Sequence, residues 1–195
     1  MATAEPNRLF FALWPDAAVR EACAQAAREL KLKDQPGGRL VDPERYHLTQ
    51  LFLGDFISAP QEEALLAMAQ TVRQAPFQLT LDHASSFARD RHVPWWLGPR
   101  DPHAAASALH VALRDGAHRA GVTPDRTRFA PHVTIVRDAG RVLPGSAIKP
   151  IHWNVSEFTL VRSLLDSQPP EYRVIGRWPL VPGVAAPPAA QMKLF

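Results

Sequence analysis

Apolar and polar positions change period several times along this chain, and each change predicts an element. Residues 8–14, RLFFALW, form a continuous apolar run that predicts a buried strand. Over 15–32 the period becomes helical, with Val19, Cys23, Ala26 and Leu30 on one stripe. Pro36, Gly37 and Gly38 break a loop at 33–45, and a strand follows at 46–53. Ser58 and Gln61 make a capping box for a helix of about 59–74, with Leu65, Met68, Ala69 and Val72 inward. Segments 77–87 and 93–98 read as strands around a polar turn. Asp101–Pro102 starts and Gly121 stops a third helix that buries Leu109, Leu113 and Ala120. A strand at 132–137 comes next, then strands at 151–165 and 171–180, paired as a hairpin around DSQPP. Several strands follow one another directly, which favours an α+β fold with antiparallel sheets over a doubly wound parallel one. The Pro- and Ala-rich tail 181–195 reads as an extension outside a domain spanning 1–180.

Composition narrows the class. Hydrophobic residues are 46% and charged residues 21% of the 195, enough for a core without staples. The formal net charge is +3 and the pI about 9.4, which favours anionic partners. Of the 22 basic residues all but four are arginine, the side chain suited to bidentate phosphate contacts. Cys23 is the one cysteine, so there is no intrachain disulfide, and its place on a helix stripe predicts core packing. No signal peptide and no stretch of ~20 apolar residues is seen, so a cytoplasmic protein without a membrane segment is expected. Neither a dinucleotide-binding glycine motif nor a P-loop is present.

Two short stretches do not behave as plain core. In YHLTQLFLGDF, His47 and Thr49 point to one face of a strand while Leu48 points to the other. In FAPHVTIVRDAG, His132 and Thr134 repeat the pattern, with Val133 and Ile135 opposite. Within each pair the Cα atoms are ~7 Å apart. If the two strands meet, two imidazoles and two hydroxyls converge on one cleft. That set suits phosphate ester chemistry. One imidazole takes a proton from water, the other gives one to a leaving alkoxide, and the hydroxyls hold non-bridging oxygens. No carboxylate stands beside the histidines at ligand spacing, so neither a metal nor any other cofactor is expected.

HLTQ and HVTI, with their flanks HLTQLFLGD and PHVTIVRDA and the N-terminal RLFFALWP, resemble the duplicated H-x-T-x motifs of the two-histidine phosphoesterases. The chain is most similar to the RNA 2′,3′-cyclic phosphodiesterase branch, also called 2′-5′ RNA ligases, over about residues 8–180. The resemblance implies a bilobal fold, two antiparallel sheets facing a central cleft with helices outside, related by a pseudo-twofold axis. It implies metal-independent hydrolysis of RNA 2′,3′-cyclic ends to 2′-phosphate ends. His47 would protonate the leaving 3′ oxygen, and His132 would activate water. Thr49 and Thr134 would hold phosphate oxygens, Arg137 would add charge stabilisation, and Phe52 would stack on the nucleobase.

Partners expected on this basis are RNA ends carrying the cyclic phosphate, or small cyclic nucleotides, bound by a monomer. Two rivals stand beside hydrolysis: 2′-5′ RNA ligation as the main activity, and nucleotide binding without turnover. Other residues are assigned structural or steering roles. His103, His110 and His118 cluster near one helix without carboxylate partners, and Ser85 and Ser86 lack a nucleophile elbow. Trp95 and Trp96 face opposite ways, so one packs in the core and the other can line a groove. Arg39 and Arg45 flank the first motif and can steer RNA.

Overall fold

A computed structural model describes residues 7–34, 37–87, 92–164 and 171–182. Among the described residues nine strands form one antiparallel sheet, and three α-helices pack on it. The elements are β1 Asn7–Leu13, α1 Ala17–Asp34, β2 Arg39–Leu40, β3 Leu48–Asp55, α2 Ala59–Ala69, β4 Phe77–Ser86, β5 Val93–Gly98, α3 Ala104–Arg119, β6 Val133–Ala139, β7 Ser146–Val155, β8 Glu157–Leu164 and β9 Glu171–Pro179. The strand order is β7-β4-β5-β6-β3-β1-β8-β9, with β2 added beside β6. The α+β class is as expected. The two sheets of the sequence reading are halves of one path, joined among the described residues by the pair Leu48–Val133 between β3 and β6.

The halves mirror each other. β1-α1-β3 in one corresponds to β5-α3-β6 in the other, and each series ends on a motif strand. The helices cross over: α1 packs on β6 and β7, whereas α3 packs on β3. Leu9, Phe11, Leu13, Leu48, Leu53, Trp95, Leu97, Val133 and Val136 share one buried cluster with Cys23, Ala27, Leu109 and Leu113. The other face of the sheet carries a much smaller cluster, Phe10, Ala12 and Val161, and there the cleft opens. Among the described residues no helix is long and apolar enough to cross a membrane.

Several elements differ from the sequence reading, among them β2, which forms inside the segment 33–45 read as a loop. The segment 151–165 is not one strand: β7 and β8 break at Ser156 and lie at opposite sides of the sheet. The alternation shifts phase there, from Ile151, Trp153 and Val155 to Phe158 and Leu160, a signal the single-strand reading passed over. The second helix stops at Ala69, although Val72 stays buried. The third helix is capped by His103 rather than Asp101, with His103 Nδ1 accepting from the Ala106 N–H at 3.2 Å. His103 Nε2 also donates to the Gln78 carbonyl at 2.9 Å, which ties the helix start to β4. Ala120, expected buried, is only half-buried. The β8–β9 pairing is as expected, while its turn and residues 183–195 of the tail lie outside the described residues.

Candidate active site

Both motif strands carry the same irregularity. On β3, Thr49 pairs with Ala12 and Leu51 with Phe11, so Gln50 is an extra residue. On β6, Thr134 pairs with Trp96 and Val136 with Trp95, so Ile135 is the extra one. A β-bulge at the same place in each copy turns the strand by one residue. Strict alternation would send Phe52 to the core with Leu48, and Arg137 to the core with Val133. The bulges bring Phe52 and Arg137 round to the face of the histidines instead. Gln50, Leu51, Ile135 and Val136 are all buried, while Phe52 is half-buried and Arg137 exposed. The bulge carbonyls are held differently: Ile135 O accepts from Val41 N at 2.9 Å, and Gln50 O accepts from His110 Nδ1 at 2.6 Å. His110 itself stacks on Phe129, with ring centroids 4.5 Å apart.

All six residues singled out in the sequence line one cleft of about 630 Å³: His47, Thr49 and Phe52 from β3 and its approach, His132, Thr134 and Arg137 from β6 and its approach. Arg39 and Arg45 line it too. Gly38, at φ +64°, lets the chain before β2 lie against this wall. A Cβ there would meet the Arg137 carbonyl at 2.5 Å.

The imidazoles are anchored alike. His47 Nδ1 lies 2.8 Å from the Arg45 carbonyl and His132 Nδ1 lies 2.7 Å from the Ala130 carbonyl, each two residues upstream. A carbonyl can only accept, so both Nδ1 atoms carry hydrogen. Nε2 is left as the proton-exchanging nitrogen of both rings. Their surroundings differ. His47 is boxed by Phe10, Trp14 and Tyr172, each with its ring centroid 5.2 Å away. His132 meets the Phe87 edge at 4.8 Å and Trp96 at 6.1 Å. Burial pushes His47 down to about 4, helped by the charges of Arg137, His132 and Arg45 against the raising effect of the Arg45 carbonyl. Burial and then Arg137 also lower His132, opposed by the Ala130 carbonyl. Without an anion in the cleft, both rings are neutral near pH 7.

The rim is charged. Arg8 pairs with Asp55 through Nε at 2.8 Å and Nη2 at 3.2 Å, and its guanidinium lies 5.5 Å from the centre of the Phe52 ring. Arg45 lies 4.7 Å over Tyr172. On the opposite rim Asp138 accepts from Arg39 at 2.8 Å and bonds His92 at 2.7 Å, contacts that hold its carboxyl below the usual range.

Trp95 is fully buried and Trp96 faces His132, as the alternation predicts. Cys23 is core, its thiol pushed up to about 12 by burial. Ser86 Oγ accepts from Leu143 N at 2.8 Å and so serves a loop. Sequence reasoning missed the aromatic walls. Phe10 and Trp14 lie in the same alternation as Ala12, opposite Leu9, Phe11 and Leu13, but RLFFALW is apolar on both faces and hid it. Tyr172 and Phe87 gave no local signal. Among the described residues no three His, Cys, Asp or Glu side chains group to hold a metal ion.

The chain is similar to known proteins over most of its length. The RNA 2′,3′-cyclic phosphodiesterase of Escherichia coli (strain K12) is 38% identical over 182 residues, 90% of this chain and 98% of that one. The crystal structure of E. coli LigT in apo form matches with a TM-score of 0.76 at 37% identity, covering 91% of this chain and 99% of the other. E. coli LigT complexed with 3′-AMP matches with a TM-score of 0.74 at 37% identity, covering 90% and 99%. Residues 14–166 match the model of the 2′-5′ RNA ligase superfamily, and the chain belongs to that family.

Proposed function

We propose that this protein hydrolyses RNA 2′,3′-cyclic phosphate ends to 2′-phosphate ends, without a metal. One observation carries the reading: two imidazoles from opposite halves reach one cleft, each with Nδ1 committed to a carbonyl and a threonine two residues on. The name of the E. coli relative supports the substrate class.

In the proposed reaction a water oxygen attacks phosphorus and gives its proton to His132 Nε2. The P–O3′ bond breaks, and His47 Nε2–H protonates the departing 3′ oxygen. The hydroxyls of Thr49 and Thr134 and the Arg137 guanidinium donate to the equatorial oxygens, where charge grows. His47 is too weak a base in the empty cleft to carry that proton at neutral pH. The cyclic phosphate brings the missing negative charge, which offsets Arg137 and raises His47 when substrate binds. The acid is thus charged mainly when there is a leaving group to receive its proton.

The test is a short RNA ending in a 2′,3′-cyclic phosphate, incubated with the protein in excess EDTA. A 2′-phosphate product is expected. A 3′-phosphate product, no turnover, or activity that returns only with a divalent ion overturns the proposal.

A further inference from the structure

The cleft holds the reacting phosphate and one base, but an RNA end has more chain behind it. The 2′ and 3′ carbons of the terminal ribose carry the cyclic phosphate. The base at C1′ and the 5′ linkage leave from the other side of the ring. Arg8 lines the cleft and is bonded to Asp55, the last residue of β3, so Phe56, which follows Asp55, lies beside the rim on the Phe52 side.

Phe56 is unusual in two independent ways. It is 66% exposed, the one aromatic among the exposed large hydrophobics of the described residues. It also sits at φ +63°, a left-handed conformation that is unfavourable for a bulky residue. Asparagine or glycine would suit both the backbone and the water better. The chain on either side holds the strain in place. Asp55 is clamped by Arg8, and Ile57 turns back into the core at 7% exposure. The ring is left facing solvent four residues beyond Phe52, ~14 Å away at the fullest extension. Arg8, over Phe52 and bound to Asp55, links the two places. Strain kept next to the Arg8–Asp55 pair, whose arginine lines the cleft, points to a ligand that rewards it.

Resting on the proposed hydrolysis, we propose that Phe56 is a stacking platform for the nucleobase upstream of the RNA's cyclic end. The site takes unpaired RNA of two or more nucleotides. Stacking accepts every base, so the platform senses length rather than sequence. Arg8 and Arg45 on the same rim suit the phosphates of that chain.

The experiment compares kcat/KM for a trinucleotide ending in a 2′,3′-cyclic phosphate with that for a mononucleoside 2′,3′-cyclic phosphate. The wild type is expected to favour the trinucleotide. Phe56→Ala should lower the trinucleotide-to-mononucleoside ratio on the order of tenfold, through KM, the worth of one base stack. Phe56→Trp should keep it. Phe56→Asn, which suits the backbone, should lose the ratio as alanine does while its melting temperature holds or rises. A ratio unchanged in both Ala and Asn variants, or one near unity in the wild type, overturns the proposal. So does a gel-filtration shift that shows Phe56 packing against a second copy. If the wild type turns over neither substrate, the hydrolysis reading falls and this inference with it. Turnover of both with an unchanged ratio sinks the platform alone.

Discussion

His47 sits in a box of three aromatic rings, while His132, on the matching strand of the other half, touches two. Everything nearer the backbone is the same in both copies. Each has a threonine two residues on, a carbonyl two residues back holding Nδ1, and one extra residue that bends the strand. The copies part again at the fifth place, where one has phenylalanine and the other arginine. Duplication thus supplies the shared requirements of acid and base twice. The copies differ in the aromatic rings around each imidazole and in the fifth side chain, to which the proposed reading gives base and phosphate contacts.

The sharpest break in this comparison is loss of either imidazole. His47→Ala and His132→Ala should each lower kcat by ~10²–10⁴. The double variant should be little worse than the worse single one, because the two act as a unit. Near-full activity in either would end the two-histidine scheme. Next come the threonines, where the copies should behave alike. Thr49→Val and Thr134→Val should each cost ~10–10³ in kcat with little change in KM, since the lost donor matters most as charge develops. A large difference between them would mean that only one touches the phosphate.

The fifth place should separate the copies. Phe52→Ala should raise KM on the order of tenfold, the worth of one stacked base, and leave kcat nearly unchanged. Arg137→Lys should lower kcat, and lysine should not restore a bidentate contact in full. If Phe52→Ala instead lowers the melting temperature with KM intact, Phe52 serves only the small cluster of Phe10, Ala12 and Val161.

The smallest effect is also the most specific. His47 has a folded pKa of about 4, below the ~6.5 of the unfolded chain. Between those values the unfolded state binds more protons, so stability should fall as pH drops from ~6.5 towards 4. His47→Gln should flatten that slope more than His132→Gln does. Adding inorganic phosphate should raise the His47 titration seen by NMR. A His47 that titrates near 6.5 with and without phosphate would remove the substrate-charged acid.

Much of the site was legible because it rests on the simplest rule of strands, that alternate residues share a face. His47 with Thr49 and His132 with Thr134 follow it. Phe52 and Arg137 do not, since each lies an odd number of residues beyond its histidine, and only an extra residue brings an odd position to the same face. The odd spacing was itself the available clue to the bulges. Tyr172 and Phe87 reach the histidines from β9 and from the end of β4, where no local pattern could tell of it. The crossing at Ser156 did leave a trace, since the inward set moves from odd positions, Ile151, Trp153 and Val155, to even ones, Phe158 and Leu160, but no glycine or proline stands there to mark a break.

The exchange of helices between halves bears on how substrate is received. A cleft between two lobes can work as a jaw, but a jaw needs a hinge whose opening exposes little apolar surface. Here α1 grows out of one half and is seated on β6 and β7 of the other, while α3 is seated on β3. Spreading the histidines would peel these helices away and bring Leu109, Leu113, Cys23 and Ala27 to water. The gap between the two imidazoles is therefore a fixed gauge, set once when the chain folds. On the proposed reading an RNA end would meet it ready-made, and the ordering of the two imidazoles would not be charged against each encounter.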